Sequence, residues 1–189
     1  MKHFIYLISL IGFLSPYITF AEQAITRSEV SFNIPNVQQI RQDGKKVSFA
    51  DELNDGRAVL VSFIYTSCSA ICPMTSQTIY KTQSKLGDKV DGVHLVSVSL
   101  DPEHDTPKQL TAYAEKFHAG KSWQHYTGTE AASIAIQKAM GAYRGDKMSH
   151  VPVFFVRPSK GEASGKGDNW VRLDGFVSAD DLLRALGGL

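Results

Sequence analysis

Ala58-Val59-Leu60-Val61-Ser62-Phe63-Ile64-Tyr65 runs directly into Thr66-Ser67-Cys68-Ser69-Ala70-Ile71-Cys72-Pro73-Met74. The first half is apolar, β-branched and aromatic without alternation, the pattern of a strand buried on both faces of a parallel sheet. The second half holds the only two cysteines of the chain. Pro73 suits the first turn of a helix, where its missing N–H has no intrahelical partner to lose. The stretch therefore predicts a strand, a short cysteine-bearing turn, and a helix that runs to about Leu86 and stops at Gly87. Two thiols four positions apart at the end of a central strand can chelate a soft metal or close a disulfide.

Further along, residues 93–100 and 151–156 repeat the buried-strand pattern. Between them, Thr106-Pro107-Lys108-Gln109 has the form of a capping box with proline at the first helical position, which predicts a helix over residues 107–117. A short extended piece follows at Trp123-Gln124-His125-Tyr126-Thr127, and Thr127-Gly128-Thr129-Glu130 leads into a helix ending near Tyr143. The glycine- and charge-rich residues 159–168 read as a hairpin loop. Trp170-Val171-Arg172-Leu173 reads as its returning strand, and Ser178-Ala179-Asp180-Asp181 as the start of a last helix. On the N-terminal side, residues 33–40 and 46–49 flank the turn Gln42-Asp43-Gly44-Lys45 as a small hairpin. Strands and helices alternate, so the expected class is α/β, with helices on both faces of a mixed sheet.

The chain has 189 residues, 43% of them hydrophobic, enough for one domain with a sizeable core. A formal net charge of +1, with both signs spread along the chain, points away from nucleic acid and from an anionic membrane surface. Lys2 and His3 precede an apolar segment, and Thr19-Phe20-Ala21 is a small-x-small cleavage signal. The expectation is a signal peptide over residues 1–21, a flexible lead-in over 22–31, and one domain over 32–189. An uncleaved anchor through residues 4–20 is the alternative, and would be the only membrane contact. No cysteine follows the apolar segment to carry a lipid. Either way the domain is expected in the bacterial periplasm. In such an oxidising compartment a disulfide between Cys68 and Cys72 would close too small a loop to serve as a staple, so the pair reads as chemical.

Thr66-x-Cys68-x-x-x-Cys72-Pro73, then Ser99-Leu100-Asp101-Pro102-Glu103-His104-Asp105-Thr106-Pro107, then an isolated His150 before a strand, together resemble the Sco/SenC family. The resemblance covers roughly residues 34–186, and Gly44-Lys45 and Trp123-x-x-Tyr126-Thr127-Gly128 fit it as well. It implies a thioredoxin-like mixed sheet with helices on both faces and an added N-terminal hairpin. It implies copper bound by Cys68, Cys72 and His150, as Cu(I) and also as Cu(II). It further implies assistance in assembling the copper A site of cytochrome c oxidase, so the expected partner is the subunit bearing that site, or another copper or thiol protein. Two departures stand out: Arg157 where an acid is usual, and Val151-Pro152, which is similar to the cis-proline position of thioredoxins.

Two thiolates and an imidazole suit soft, low-coordinate Cu(I). Cys72 at a helix N-terminus would have its thiolate favoured by the dipole and the free N–H groups. The same pair can exchange electrons, so a periplasmic thiol–disulfide oxidoreductase acting through Cys68 and Cys72 is the alternative; its usual Cys-x-x-Cys spacing is one residue shorter. Asp101 reads equally as a residue orienting the site and as a turn former. Asp105 and Thr106 read as helix caps, and His104 as exposed. His94, His118 and His125 read as structural or exposed. Met74 and Met148 flank the expected ligands and can offer a thioether, although methionines in such places more often fill gaps.

Overall fold

In the computed structural model, which describes residues 25–159 and 169–188, β4 (Ala58–Ile64) and β5 (Val93–Ser99) lie parallel at the centre of a sheet. Every residue of both strands is buried. The rest of the sheet is built outward from this pair. β6 (Trp123–Gly128) runs parallel to β5, and the hairpin of β2 (Gln38–Arg41) and β3 (Lys46–Ser48) follows it. On the other side, β7 (Val153–Arg157) is antiparallel to β4, followed by β8 (Asn169–Asp174) and β1 (Thr26–Ser31). The order is β1-β8-β7-β4-β5-β6-β2-β3.

Both faces of the sheet are covered. One packs against α2 (Ile71–Leu86), α3 (Pro107–Lys116) and α5 (Ala179–Ala185) through Leu60, Leu95, Ile79, Leu110, Trp123 and Leu182. The other packs against α1 (Phe49–Glu52) and α4 (Glu130–Ala139) through Val61, Phe63, Val96, Phe155, Ile136 and Trp170. Each such side chain, taken fully out of water, stabilises the fold by about 1.5–3 kcal/mol. Burial on both faces is why β4 and β5 are apolar at nearly every position. The polar exceptions are all hydrogen-bonded: Ser62 with Ser97 at 3.1 Å, His94 with the Glu52 carbonyl and Tyr126, and Ser99 with Asp105.

The expected α/β class and the Asp43-Gly44 hairpin are present, with Gly44 at φ +85°. The α2 boundary at Leu86 and the capping box of Thr106 and Gln109 are present too. Two expectations change, and one left open by the sequence is decided. The lead-in is a strand from Thr26 onward: β1 pairs with β8 over its whole length at the sheet edge. β1 is exposed or half-exposed along its whole length, so its polar sequence carries no buried-strand pattern. α4 stops at Ala139, with Met140 capping and Gly141 at φ +64°, short of Tyr143. The Val151–Pro152 peptide is trans. The expected signal peptide and most of the residue 159–168 loop lie outside the described residues. Among the described residues no helix is long and apolar enough to cross a membrane.

Parallel pairing of Ile64 with Ser99, and antiparallel pairing of Ser62 with Phe154, bring three segments to one end of the sheet. These are the cysteine turn after β4, the Asp-Pro loop after β5, and the approach to β7 that carries His150. Asp174 pairs with Val153 and with Thr26, so the start of β1 lies at that end as well.

Candidate metal centre

α2 begins without a side-chain cap: Ala70 occupies the cap position and bonds nothing with its side chain. The Cys68 sulfur fills that role, accepting the Cys72 N–H at 3.4 Å. It thus takes up one of the amide donors that a helix start leaves unpaired. The turn itself is closed by the Cys68 N–H donating to the Tyr65 carbonyl at 3.1 Å. Both cysteines are free thiols; Cys72 is fully buried and Cys68 half-buried.

Their surroundings set them apart. Burial works against the Cys68 thiolate, but hydrogen bonds from the Cys72 amide and thiol, the Ala70 amide and the Tyr65 hydroxyl outweigh it and hold Cys68 below its ordinary range. Burial pushes the Cys72 thiol well up, and the hydrogen bond with Cys68 adds to this. The pair is therefore unequal, with Cys68 the more readily ionised sulfur and Cys72 held as the thiol. Tyr65 is the hub. Its backbone N–H donates to the Cys72 sulfur, and its single O–H is shared between Cys68 and Met148 Sδ, the latter 3.4 Å away. Burial first, then Cys68, pushes its phenol up to about 12. A tyrosine closing an apolar strand reads in sequence as core, so this role was not visible there.

Asp105 is a second residue whose place differs from the expectation. Thr106 is the cap of α3, while Asp105 is fully buried and ties the cysteine turn to the Asp-Pro loop. Its carboxylate accepts Thr66 N–H at 3.1 Å, Thr66 Oγ1–H at 2.5 Å and Ser99 Oγ–H at 2.6 Å. Asp105→Asn presents an amide N–H₂ to groups that are all donors. It is expected to cost about 2 kcal/mol in urea denaturation, and a loss under about 0.5 kcal/mol would show that the carboxylate does not hold the turn. Asp101 accepts Lys147 Nζ at 2.6 Å and so fastens the approach to β7.

Among the described residues, no three His, Cys, Asp or Glu side chains converge closely enough to hold a metal ion. The structure brings Cys68 and Cys72 together and leaves His150 outside their cluster. His150 is 7% exposed, and its ring hydrogen-bonds the Phe63 backbone carbonyl. Its Nε2 is buried without a partner. Burial lowers its pKa to about 4 against the pull of that carbonyl, so the ring is neutral at physiological pH. A neutral imidazole with one nitrogen fixed by a carbonyl and the other unpaired is the form in which histidine binds metals.

The remaining candidates sit apart from the centre. His94 bonds the Glu52 carbonyl and Tyr126, and His125 is wholly buried against Trp123 and Tyr113. His104 and His118 are exposed. Arg157 lies at the far end of β7, where it donates to the Leu53 carbonyl and stacks over Trp170. That departure from the family pattern is remote from the cysteines.

Residues 32–161 match the SCO1/SenC family model. A SCO1 protein homolog of Bacillus subtilis is 37% identical over 94 residues, 49% of this chain and 48% of that protein. A putative copper-binding protein of Stutzerimonas stutzeri is 29% identical over 109 residues, 57% of this chain and 52% of that one. The chain spans about half the length of these curated relatives. Among solved structures, BsSco is described as having a disulfide switch and as a member of the Sco family of cytochrome c oxidase assembly proteins. It matches with a TM-score of 0.67 at 27% identity, over 85% of this chain and 95% of its own. Copper-bound ScoI of Bradyrhizobium japonicum matches with a TM-score of 0.64 at 22% identity, over 83% of this chain and 100% of its own, a likeness of fold. The thioredoxin-like fold implied by the resemblance is the one these structures share.

Proposed function

The chain belongs to the SCO1/SenC family, and from that we propose that it is a copper-binding assembly protein of the periplasm, reached through the apolar segment of residues 4–20. Cys68 and Cys72 take the ion as a dithiolate, and His150 supplies the third donor. The cargo passes to the copper A-bearing subunit of cytochrome c oxidase or a similar copper or thiol partner. The observation that carries the reading is the unequal dithiol at the start of α2, one sulfur already favoured as thiolate and the other in hydrogen-bond reach of it. A soft cation displaces the Cys72 thiol proton and is held by both sulfurs. The unpartnered Nε2 of His150 supports the third place. For it to close on the sulfurs, the turn before β7 must release Asp101 from Lys147 and Tyr65 from Met148. Relatives named for copper point the same way.

A thiol–disulfide oxidoreductase is the second reading, favoured by the hydrogen-bonded thiols themselves and by the disulfide switch described for BsSco. Anaerobic Cu(I) titration and a disulfide-reduction assay separate the two on wild type, Cys68→Ser, Cys72→Ser and His150→Ala. Wild type should bind one Cu(I) per chain, each serine variant should lose it, and His150→Ala should bind at least ~10-fold more weakly. A wild type that takes up no copper and reduces disulfides rapidly would leave only the second reading.

A further inference from the structure

Met148 is 72% exposed, against 53% for Met74, while Met140 is fully buried and fills the core. A long apolar side chain so far out of the core gains little from packing, and its thioether is soft and polarizable. Its position is set by the chain around it. Met148 lies in the tight turn Lys147–Ser149, whose cap Asp146 accepts the Met148 N–H at 2.7 Å. The turn is also fastened by Lys147 to Asp101. This brings Met148 Sδ to the Tyr65 hydroxyl, which also bonds the Cys68 sulfur, while the Tyr65 amide bonds the Cys72 sulfur. One tyrosine therefore gathers three sulfurs. Met74 does not take part: it borders an apolar groove with Pro73 and Phe176.

We infer that Met148 Sδ is a further ligand of Cu(I), meeting the ion with Cys68 at the mouth of the dithiol and staying on it when Cys72 and His150 close. The inference rests on the copper reading and extends it to a division of labour. The uncharged thioether selects Cu(I), whereas the imidazole of His150 serves Cu(II) equally well. The step is ligand exchange with no electron transfer. Cu(I) leaves two ligands of its donor and gains one thiolate and one thioether, and the Tyr65 O–H turns its hydrogen bond to water.

The test compares wild type, Met148→Leu, Met74→Leu and His150→Ala in anaerobic competition for Cu(I) against a chromophoric chelator, and in Cu(II) titration. Met148→Leu should lower Cu(I) affinity by about tenfold and leave Cu(II) affinity within about twofold, with Met74→Leu unchanged in both. His150→Ala should show the larger loss for Cu(II). Selenium-edge absorption of selenomethionine protein in the Met74→Leu background, loaded with one Cu(I), should show a selenium–copper path that Met148→Leu removes. Wild type that binds Cu(I), with Met148→Leu equally tight and no selenium–copper path, overturns the inference and leaves the copper reading standing. Wild type that binds no Cu(I) overturns both. An exposed position makes Met148→Leu safe for folding, which circular dichroism checks.

Discussion

Iodoacetamide near neutral pH is expected to alkylate Cys68 and spare Cys72, with rates that differ by ~100-fold or more. The thiolate is the reacting form, and each unit of pKa changes its fraction about tenfold. Cys68 is held below its ordinary range and is half-buried, whereas Cys72 is raised well above it and has no exposed surface. The two effects act in the same direction. Mass spectrometry of timed reactions on the Cys68→Ser and Cys72→Ser variants measures each thiol alone. The slow rate should persist in Cys68→Ser, because burial, the leading cause of the Cys72 shift, remains when Cys68 is gone. Similar rates for the two variants would mean that Cys72 is not protected beneath Tyr65.

Mild acid should destabilise the fold through a residue far from the sulfurs in function. His125 is wholly buried, with neither ring nitrogen bonded, and burial lowers its pKa to about 3. In the unfolded chain the same ring takes its proton near 6.5. The folded pKa is the lower of the two, so between these values the unfolded chain binds a proton that the fold does not. Stability is therefore complete above about pH 6.5 and falls by about 1.4 kcal/mol per unit of pH on acidification. About 3 kcal/mol is lost by about pH 4.5 from His125 alone. His94, whose pKa burial also lowers, adds to the loss in the same sense. Guanidinium denaturation at about pH 7 and pH 4.5 measures the difference, and His125→Phe should remove His125's share. An unchanged pH slope in that variant would show that the ring is solvated.

The sequence carried the centre of the fold because β4 and β5 are buried on both faces and admit polar residues only where these find hydrogen-bond partners, while Pro73 and Gly87 punctuate α2. β1 was illegible for the converse reason: an edge strand in a polar sequence has nothing to alternate. At the site, the cysteines were legible as a local pattern, but their inequality was not, since it depends on how far each sulfur is buried. The place of Asp105 and the sulfur contacts of Tyr65 were not legible because their partners are distant in sequence. Asp105 meets Thr66 across 39 residues, by virtue of the β4–β5 register, and Tyr65 meets Met148 across 83. Next to Thr106-Pro107 an aspartate looks like a cap, and after Phe63-Ile64 a tyrosine looks like core. His150 was singled out by the family resemblance, as an isolated histidine before a strand; its burial and unpaired nitrogen belong to the tertiary packing.

The register of β1 also sets the molecule's bearing. Thr26 pairs with Asp174, and Asp174 with Val153, so the chain enters the sheet at the end where the sulfurs lie. β1 is three strands from β4, a sideways offset of roughly 14 Å at ordinary strand spacing. Any surface to which the residues before Ile25 are fastened is thus reached from the sulfur-bearing end. A short leash there would turn the thiols toward its anchor and the Arg157 end of the sheet away from it.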